Sequence, residues 1–291
     1  MKKFPYKIKN IRAIYLFAHI TLPVSSLIAS LVNYLLAKQK RKPIVVLGLS
    51  RSGTTMLGKF LSMDENSEYI HEPVKQLFRF NYNLRKRKQH FWNFVFDPKN
   101  KKLKMHYLFS VLLFSLLNKQ STKAICLKEI SLTNVIGDIE KYLKHAQVLY
   151  ISRHPCGRTE SLLRQHVNKN KEEQVSINFV GNMANDWGRD IKMAQQICSN
   201  NTNWHWLLFE ELASDPVNQF KILNQQFQLP WTDEIQNWIH QLTSTKDGGF
   251  YQAQRIASRQ SDKWKESLTK EQIEAIRQAT IKYKTNIYTG F

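Results

Sequence analysis

The sequence predicts an α/β fold in three layers: a mostly parallel central sheet flanked by helices, with a P-loop-like strand–loop–helix unit near its start. Three observations predict it. Short apolar runs of strand length alternate with longer amphipathic stretches. The first run ends in Gly48, and Gly53 follows at the spacing of a phosphate-binding loop. Two later runs lead straight into a cation, Lys128 and Arg153, and parallel sheets gather ligands at the carboxyl ends of their strands.

The elements follow in chain order. Residues 1–42 read as a basic N-terminal segment carrying a hydrophobic helix, and residues 43–291 as the main domain. Ala13 to Ala37 holds no Asp, Glu, Lys or Arg, and Lys38 to Lys42 is basic again. That stretch is long enough to span a bilayer of about 30 Å as a helix, but it contains His19, Pro23 and Asn33. Three readings stay open for residues 13–37: a single span, a helix lying on a membrane surface, and a helix packed on the domain. Ile44 to Gly48 is a buried strand running into a loop, and Thr54 to Met63 is the helix after it. A second strand is expected near Glu68 to Ile70. The segment 75–104 is basic and aromatic, with Arg85 to Lys88 in a loop. Met105 to Leu117 is too short to span a membrane and reads as a core helix. Further strands are expected at Ala124 to Leu127, Gln147 to Ser152 and His205 to Phe209. Helices are expected at 134–144, 156–168, 175–198 and 216–227, and a last polar helix runs from Leu268 to Tyr283, opened by Thr269.

Charge is uneven. The net charge is +20. Residues 1–120 hold 22 Lys and Arg against 5 Asp and Glu, while the remainder holds 21 against 18. Such a field favours anionic partners. Three cysteines, Cys126, Cys156 and Cys198, form neither a disulfide framework nor a zinc pattern, so no metal is expected.

The chemistry starts at the loop Gly48-Leu-Ser-Arg51-Ser52-Gly53-Thr54-Thr55. Its backbone N–H groups and the following helix N-terminus suit an anion. Thr54 stands where nucleoside triphosphatases carry the lysine that reaches the β- and γ-phosphates, which argues against a kinase or other P-loop phosphotransferase. Arg51 supplies a cation inside the loop instead. Here the sequence resembles the sulfotransferases that use 3′-phosphoadenosine 5′-phosphosulfate (PAPS), in the form found in their Golgi carbohydrate and tyrosylprotein branches and bacterial relatives. The resemblance implies that Arg51, Ser52, Gly53, Thr54 and Thr55 bind the 5′-phosphosulfate. It extends to Arg153 and Ser161, which have the family's spacing for holding the donor's 3′-phosphate, although His154 replaces the usual Asp. The segment from Phe209 to Pro216, with Phe227 to Pro230, resembles a structural element of the family, and Arg259 to Trp264 resembles the part that closes over the nucleotide.

Sulfuryl transfer to a hydroxyl needs in-line attack, charge stabilisation and a base. The resemblance implies Glu72 as the base, with His71 as the alternative, and Lys128 beside Arg51 as the cations near the transferred group. A basic pocket would lower the Glu72 pKa. The implied co-substrate is PAPS, with adenosine 3′,5′-bisphosphate as product and a carbohydrate, lipid or peptide hydroxyl as acceptor. The basic, aromatic insertion 75–118 is expected on the acceptor side. Residues 13–37 imply membrane association, on the cytoplasmic face in a bacterium or in the Golgi of a eukaryote. The competing readings are the P-loop phosphotransferase and a basic protein that binds membranes or nucleic acid. The latter leaves Arg51, Lys128 and Arg153 at strand ends unexplained, so no nucleic-acid partner is expected.

Overall fold

A computed structural model describes residues 10–65, 67–85, 91–117, 124–167, 175–244, 262–285 and 287–288. Five strands form one sheet: β1 (Ile44–Leu47), β2 (Ser67–His71), β3 (Ala124–Glu129), β4 (Gln147–Ser152) and β5 (Trp204–Leu208), in the order β2-β3-β1-β4-β5. β1 and β2 both pair with β3 in parallel, with Val46 and His71 opposite Lys128. The predicted mostly parallel sheet flanked by helices is the observed one.

The chain divides into two compact units. The first comprises Met1–Gly48, Leu57–Leu149 and Asn201–His205, and the second Leu49–Met56, Tyr150–Asn200 and Trp206–Phe291.

In the first unit, α1 (Ile11–Thr21) and α2 (Ser25–Ala37) are joined by a 3-10 turn, Leu22–Val24, built around Pro23, the residue that cannot continue the α-helical hydrogen-bond ladder. The unit also holds α3 (Thr54–Ser62) from Leu57 onward, α4 (Pro73–Leu84), α5 (Phe91–Phe96), α6 (Lys101–Leu117) and α7 (Ile136–Tyr142). α6 is the central helix: every residue from Lys104 to Leu113 is buried. Its one buried cation is satisfied, since Lys104 Nζ donates to Ser131 O at 2.9 Å and Asn134 Oδ1 at 2.6 Å, as a buried ammonium requires. α1 and α2 lay Ile14, Ala18, Ala29, Val32 and Leu36 inward and pack on α6. His19 Nε2 meets Tyr107 Oη at 2.9 Å, and Phe17 packs edge-on against Phe114.

The second unit contains α8 (Pro155–Val167), α9 (Ile177–Asn200), α10 (Phe209–Ser214), α11 (Pro216–Phe227), α12 (Asp233–Ser244), α13 (Trp264–Ser267) and α14 (Lys270–Ile281). Cys156, Leu163, Val180, Ala184, Trp264 and Ile276 share one buried cluster. α14 opens with a capping box: Thr269 accepts from the Gln272 N–H, and the Gln272 side chain accepts from the Thr269 N–H. α14 sits on α9, and a Cβ at Gly188 would fall 2.1 Å from Tyr283 Cδ2, so only glycine admits this approach.

Several expectations are corrected. β3 runs on to Glu129, so Lys128 lies inside the strand rather than after it. β5 ends at Leu208, and Phe209 starts α10. The segment 75–104 is largely helical, and α4 begins at Pro73, whose missing N–H costs nothing at a first helical position. Of the expected loop 85–88, residues 86–88 lie outside the described residues, as do residues 259–261 of the segment expected over the nucleotide.

Candidate functional site

The second unit brings the sequence-predicted anion-binding residues together. Arg51 Nε donates to Ser161 Oγ at 2.9 Å, and Arg153 Nη1 donates to the Arg51 carbonyl at 3.2 Å. Ser161 sits in the second turn of α8, and Arg153 lies between β4 and α8. The guanidinium of Arg153 rests 4.6 Å over the Phe209 ring, a stacking geometry suited to arginine. Arg153 is buried and Arg51 partly buried. Burial lowers the Arg51 pKa, with Arg164 adding to it and Glu160 opposing. Burial brings Arg153 down to about 10, against the pull of Glu210 and Glu160.

The loop backbone leaves no room for a side chain at Gly53. Gly53 has φ +92°, and a Cβ there would lie 2.8 Å from Phe209 Cδ2 and 3.1 Å from Ile151 Cδ1. Ser52 and Thr54 are buried, and among the described residues the Ser52 hydroxyl has no hydrogen-bond partner, nor does that of Thr159 in the first turns of α8. Buried hydroxyls are ordinarily paired. Gly53→Ala should therefore destabilise the protein by about 1–3 kcal/mol, the usual cost of forcing a side chain into such backbone, read as a lower urea midpoint.

The first unit holds the remaining candidates in another cluster. Glu72 is the N-cap of α4. Its Oε1 accepts from Lys128 Nζ and its Oε2 from Lys75 Nζ. Burial alone would raise the Glu72 pKa, but Lys128 and Lys75 together hold it at about 2. Lys128 is 1% exposed. Burial lowers its pKa, and Glu72 works in the opposite direction. His71 accepts or donates at Nδ1 to Tyr69 Oη, 2.9 Å away. Burial, then Lys128, brings its pKa down to about 4. Beneath them Glu129, fully buried, accepts from the N–H groups of Val74, Lys75, Ile130 and Ser131 and from Ser131 Oγ. It thereby caps α4 and holds the backbone that carries Glu72.

Backbone strain marks the same residues. Five non-glycine residues among those described have positive φ, and two of them are Arg51 at 73° and Glu72 at 43°. Strain of this kind persists only where the surroundings enforce it.

The two depressed pKa values imply an acid-side loss of stability. Unfolded, His71 takes a proton near 6.5, whereas folded it stays neutral to about 4. The unfolded state binds more protons in that window, so stability falls as pH drops from 6.5 to 4. Glu72 continues the fall from its ordinary 4.5 to about 2. Each contributes a slope of up to about 1.4 kcal/mol per pH unit. Urea midpoints measured across this range should decline in both windows, and His71→Gln should flatten the upper one.

Some functional contacts were not read from sequence. Lys75 lies three residues beyond Glu72 on the first turn of α4, a spacing that would have flagged it once Pro73 was taken as a helix start. Arg158, buried in α8, donates from Nε to Ser50 O at 3.3 Å and from Nη1 to Met183 O at 3.2 Å, bracing the loop. Glu129 and Phe209 left no signal, because their roles rest on contacts far along the chain. His154, left open by the sequence, caps α8: Nδ1 accepts from the Cys156 N–H at 3.2 Å, and the ring stacks on Trp264 at 4.8 Å.

A parallel sheet, a glycine loop leading into a helix and buried guanidiniums around that loop define a protein of the P-loop-like α/β class. A sequence profile of the Sulfotransferase family matches residues 43–233, and the chain belongs to that family. Among solved structures, it is similar to the sulfotransferase domain from the Synechococcus PCC 7002 olefin synthase (TM-score 0.54, 13% identity, 82% of this chain and 95% of that one). It is similar to sulfotransferase STF9 from Mycobacterium avium (0.51, 15%, 86% and 77%). It is also similar to mouse sulfotransferase SULT7A1, solved in complex with PAP (0.50, 12%, 88% and 90%). At these identities the likeness is one of fold. No curated protein sequence matches the chain.

Proposed function

We propose that this chain transfers a sulfuryl group from PAPS to an acceptor hydroxyl by in-line displacement. The observation that carries the reading is the linkage of Arg51, Ser161 and Arg153 around the glycine loop. Ser52, Gly53, Thr54 and Thr55 would hold the 5′-phosphosulfate end of the donor through the loop backbone, the Ser52 hydroxyl and the start of α3. Arg153 and Ser161 would hold the 3′-phosphate, a guanidinium fork and a hydroxyl being apt for phosphate oxygens. PAPS supplies an activated sulfuryl group on a phosphate leaving group. The residues present fit it: the guanidiniums of Arg51 and Arg153 and the Ser52 hydroxyl, which has no hydrogen-bond partner among the described residues, lie in one unit.

Arg51 and Lys128 supply the positive charge that stabilises the leaving phosphate. Glu72 takes the proton of the acceptor hydroxyl. At rest it is a weak base, held near 2 between two ammonium groups. Orientation then has to contribute more than resting basicity. The acceptor side is assigned to α4–α6 and their neighbours, where the insertion 75–118 is basic and aromatic. A glycan, glycolipid or peptide hydroxyl fits that chemistry.

Labelled sulfate supplied as PAPS and offered to a panel of lipid, sugar and peptide acceptors tests the reading. Transfer to none, together with stabilisation by ATP and Mg²⁺ but not by adenosine 3′,5′-bisphosphate, would favour a phosphotransferase. Arg153→Ala should weaken binding of adenosine 3′,5′-bisphosphate by about 10- to 100-fold, the worth of one charged hydrogen-bonding partner. Unchanged affinity by calorimetry would remove the 3′-phosphate role.

A further inference from the structure

We propose that the outer face of α1 and α2 lies flat on an anionic lipid bilayer, so that the protein is held at a membrane surface without crossing it. The proposal concerns placement and does not depend on the transfer reaction.

The helical stretch Ile11–Ala37 is long and apolar enough to cross a membrane by length and composition. Its two sides behave differently. One stripe, Ile14, Ala18, Ala29, Val32 and Leu36, is buried within the first unit. The opposite stripe, Leu16, Ile20, Val24, Leu27, Leu31 and Tyr34, is 42–67% exposed. Leu16 and Ile20 in α1, and Leu27, Leu31 and Tyr34 in α2, are three or four residues apart, the spacing of one face on each helix. A helix apolar on all sides calls for a cover on all sides, and here the described residues cover only one. Contiguous apolar exposure of this extent marks an interaction surface.

Charge identifies the cover. No charged residue interrupts Ala13 to Ala37, and exposed cations stand at both ends: Arg12 on one side and Lys38, Lys40 and Lys42 on the other. An apolar face flanked by cations is the pattern of helices seated in the headgroup region of anionic bilayers. Tyr34, with Lys38 Nζ 4.2 Å over its ring, is an amphipathic residue suited to that depth. A second copy of this chain fits poorly, because pairing the stripes in either orientation sets one basic cluster against another on a chain of charge +20. Crossing the bilayer fits poorly too. The helix would have to leave α6, giving up the His19–Tyr107 bond at 2.9 Å and the Thr21–His106 bond at 3.0 Å.

Flotation of the full chain with vesicles tests this. The chain should float with vesicles of phosphatidylcholine mixed with phosphatidylglycerol. It should bind phosphatidylcholine alone about tenfold or more weakly, and salt should weaken the anionic binding. Alkaline washing should release it. Lys38→Gln/Lys40→Gln/Lys42→Gln should reduce partition on the order of a hundredfold, and Ile20→Asp/Leu27→Asp should abolish it. The triple variant alters only surface positions, so it keeps the test valid if the aspartate pair fails to fold. Absence of binding to the anionic vesicles, or binding unchanged in the triple variant, overturns the proposal. So does resistance to alkaline washing, which would signal a span. A dimer seen by light scattering without vesicles, and dissociated by Ile20→Asp/Leu27→Asp, overturns it in favour of a second copy. None of these readouts uses sulfuryl transfer, so failure here leaves the proposed reaction standing, and failure of the reaction leaves this result intact.

Discussion

Glu72→Gln should lower sulfuryl transfer by about 10²- to 10⁴-fold, the range supplied by a positioned general base, while leaving the affinity for adenosine 3′,5′-bisphosphate at the parent level. The separation is expected because the residues assigned to donor binding and Glu72 belong to different compact units. Glutamine keeps the shape and one acceptor for Lys128 but removes the proton-accepting charge. It also leaves Lys128 buried without its anion, which destabilises proteins by about 3–5 kcal/mol in comparable cases. Retained nucleotide binding therefore serves as the control for folding. Lys128→Ala gives the complementary result: transfer falls by about 100-fold or more, and the acid limb of the kcat/KM profile moves upward, since the first ammonium holding Glu72 near 2 has gone. Near-normal turnover in Glu72→Gln would pass the role to His71, whose neutral ring lies beside it, with Nε2 3.9 Å from Glu72 Oε1.

Arg51→Ala should cost about 100-fold or more in transfer, the range lost when one charge-stabilising donor is removed. Arg51→Lys should recover part of it. Lysine retains a cation but not the Nε–H that reaches Ser161 Oγ at 2.9 Å, and the two side chains are not interchangeable where a planar fork is in use. Partial recovery by lysine distinguishes a charge acting on the donor from a merely structural link between the loop and α8. In the structural case, lysine and alanine variants should be equally impaired and both should melt early. Full turnover in Arg51→Ala would refute the assignment.

The sequence by itself determined the sheet-and-helix alternation and singled out the glycine loop, Arg153 and Ser161 as candidates, and the structure places these in one unit, with Ser161 bonded to Arg51. The sequence signals are local: apolar runs of strand length, a glycine spacing, and a serine eight residues after an arginine at a strand end. The helix opened by Thr269 was legible for the same reason. Only the tertiary structure decided the rest. Lys128 was placed after its strand, whereas pairing with His71 and Val46 carries β3 on through it to Glu129. Strand ends are set by the neighbouring strand, which the local sequence does not contain. Glu129, Lys75 and Phe209 acquire their roles through contacts with groups brought in by folding. The N-terminal stretch shows the division most clearly. Composition alone left a span, a surface helix and a packed helix all open, with the span ahead, because all three need an apolar helix. Packing on α6 resolved which side is covered by protein, and that difference between two faces of one helix is a property no one-dimensional pattern carries.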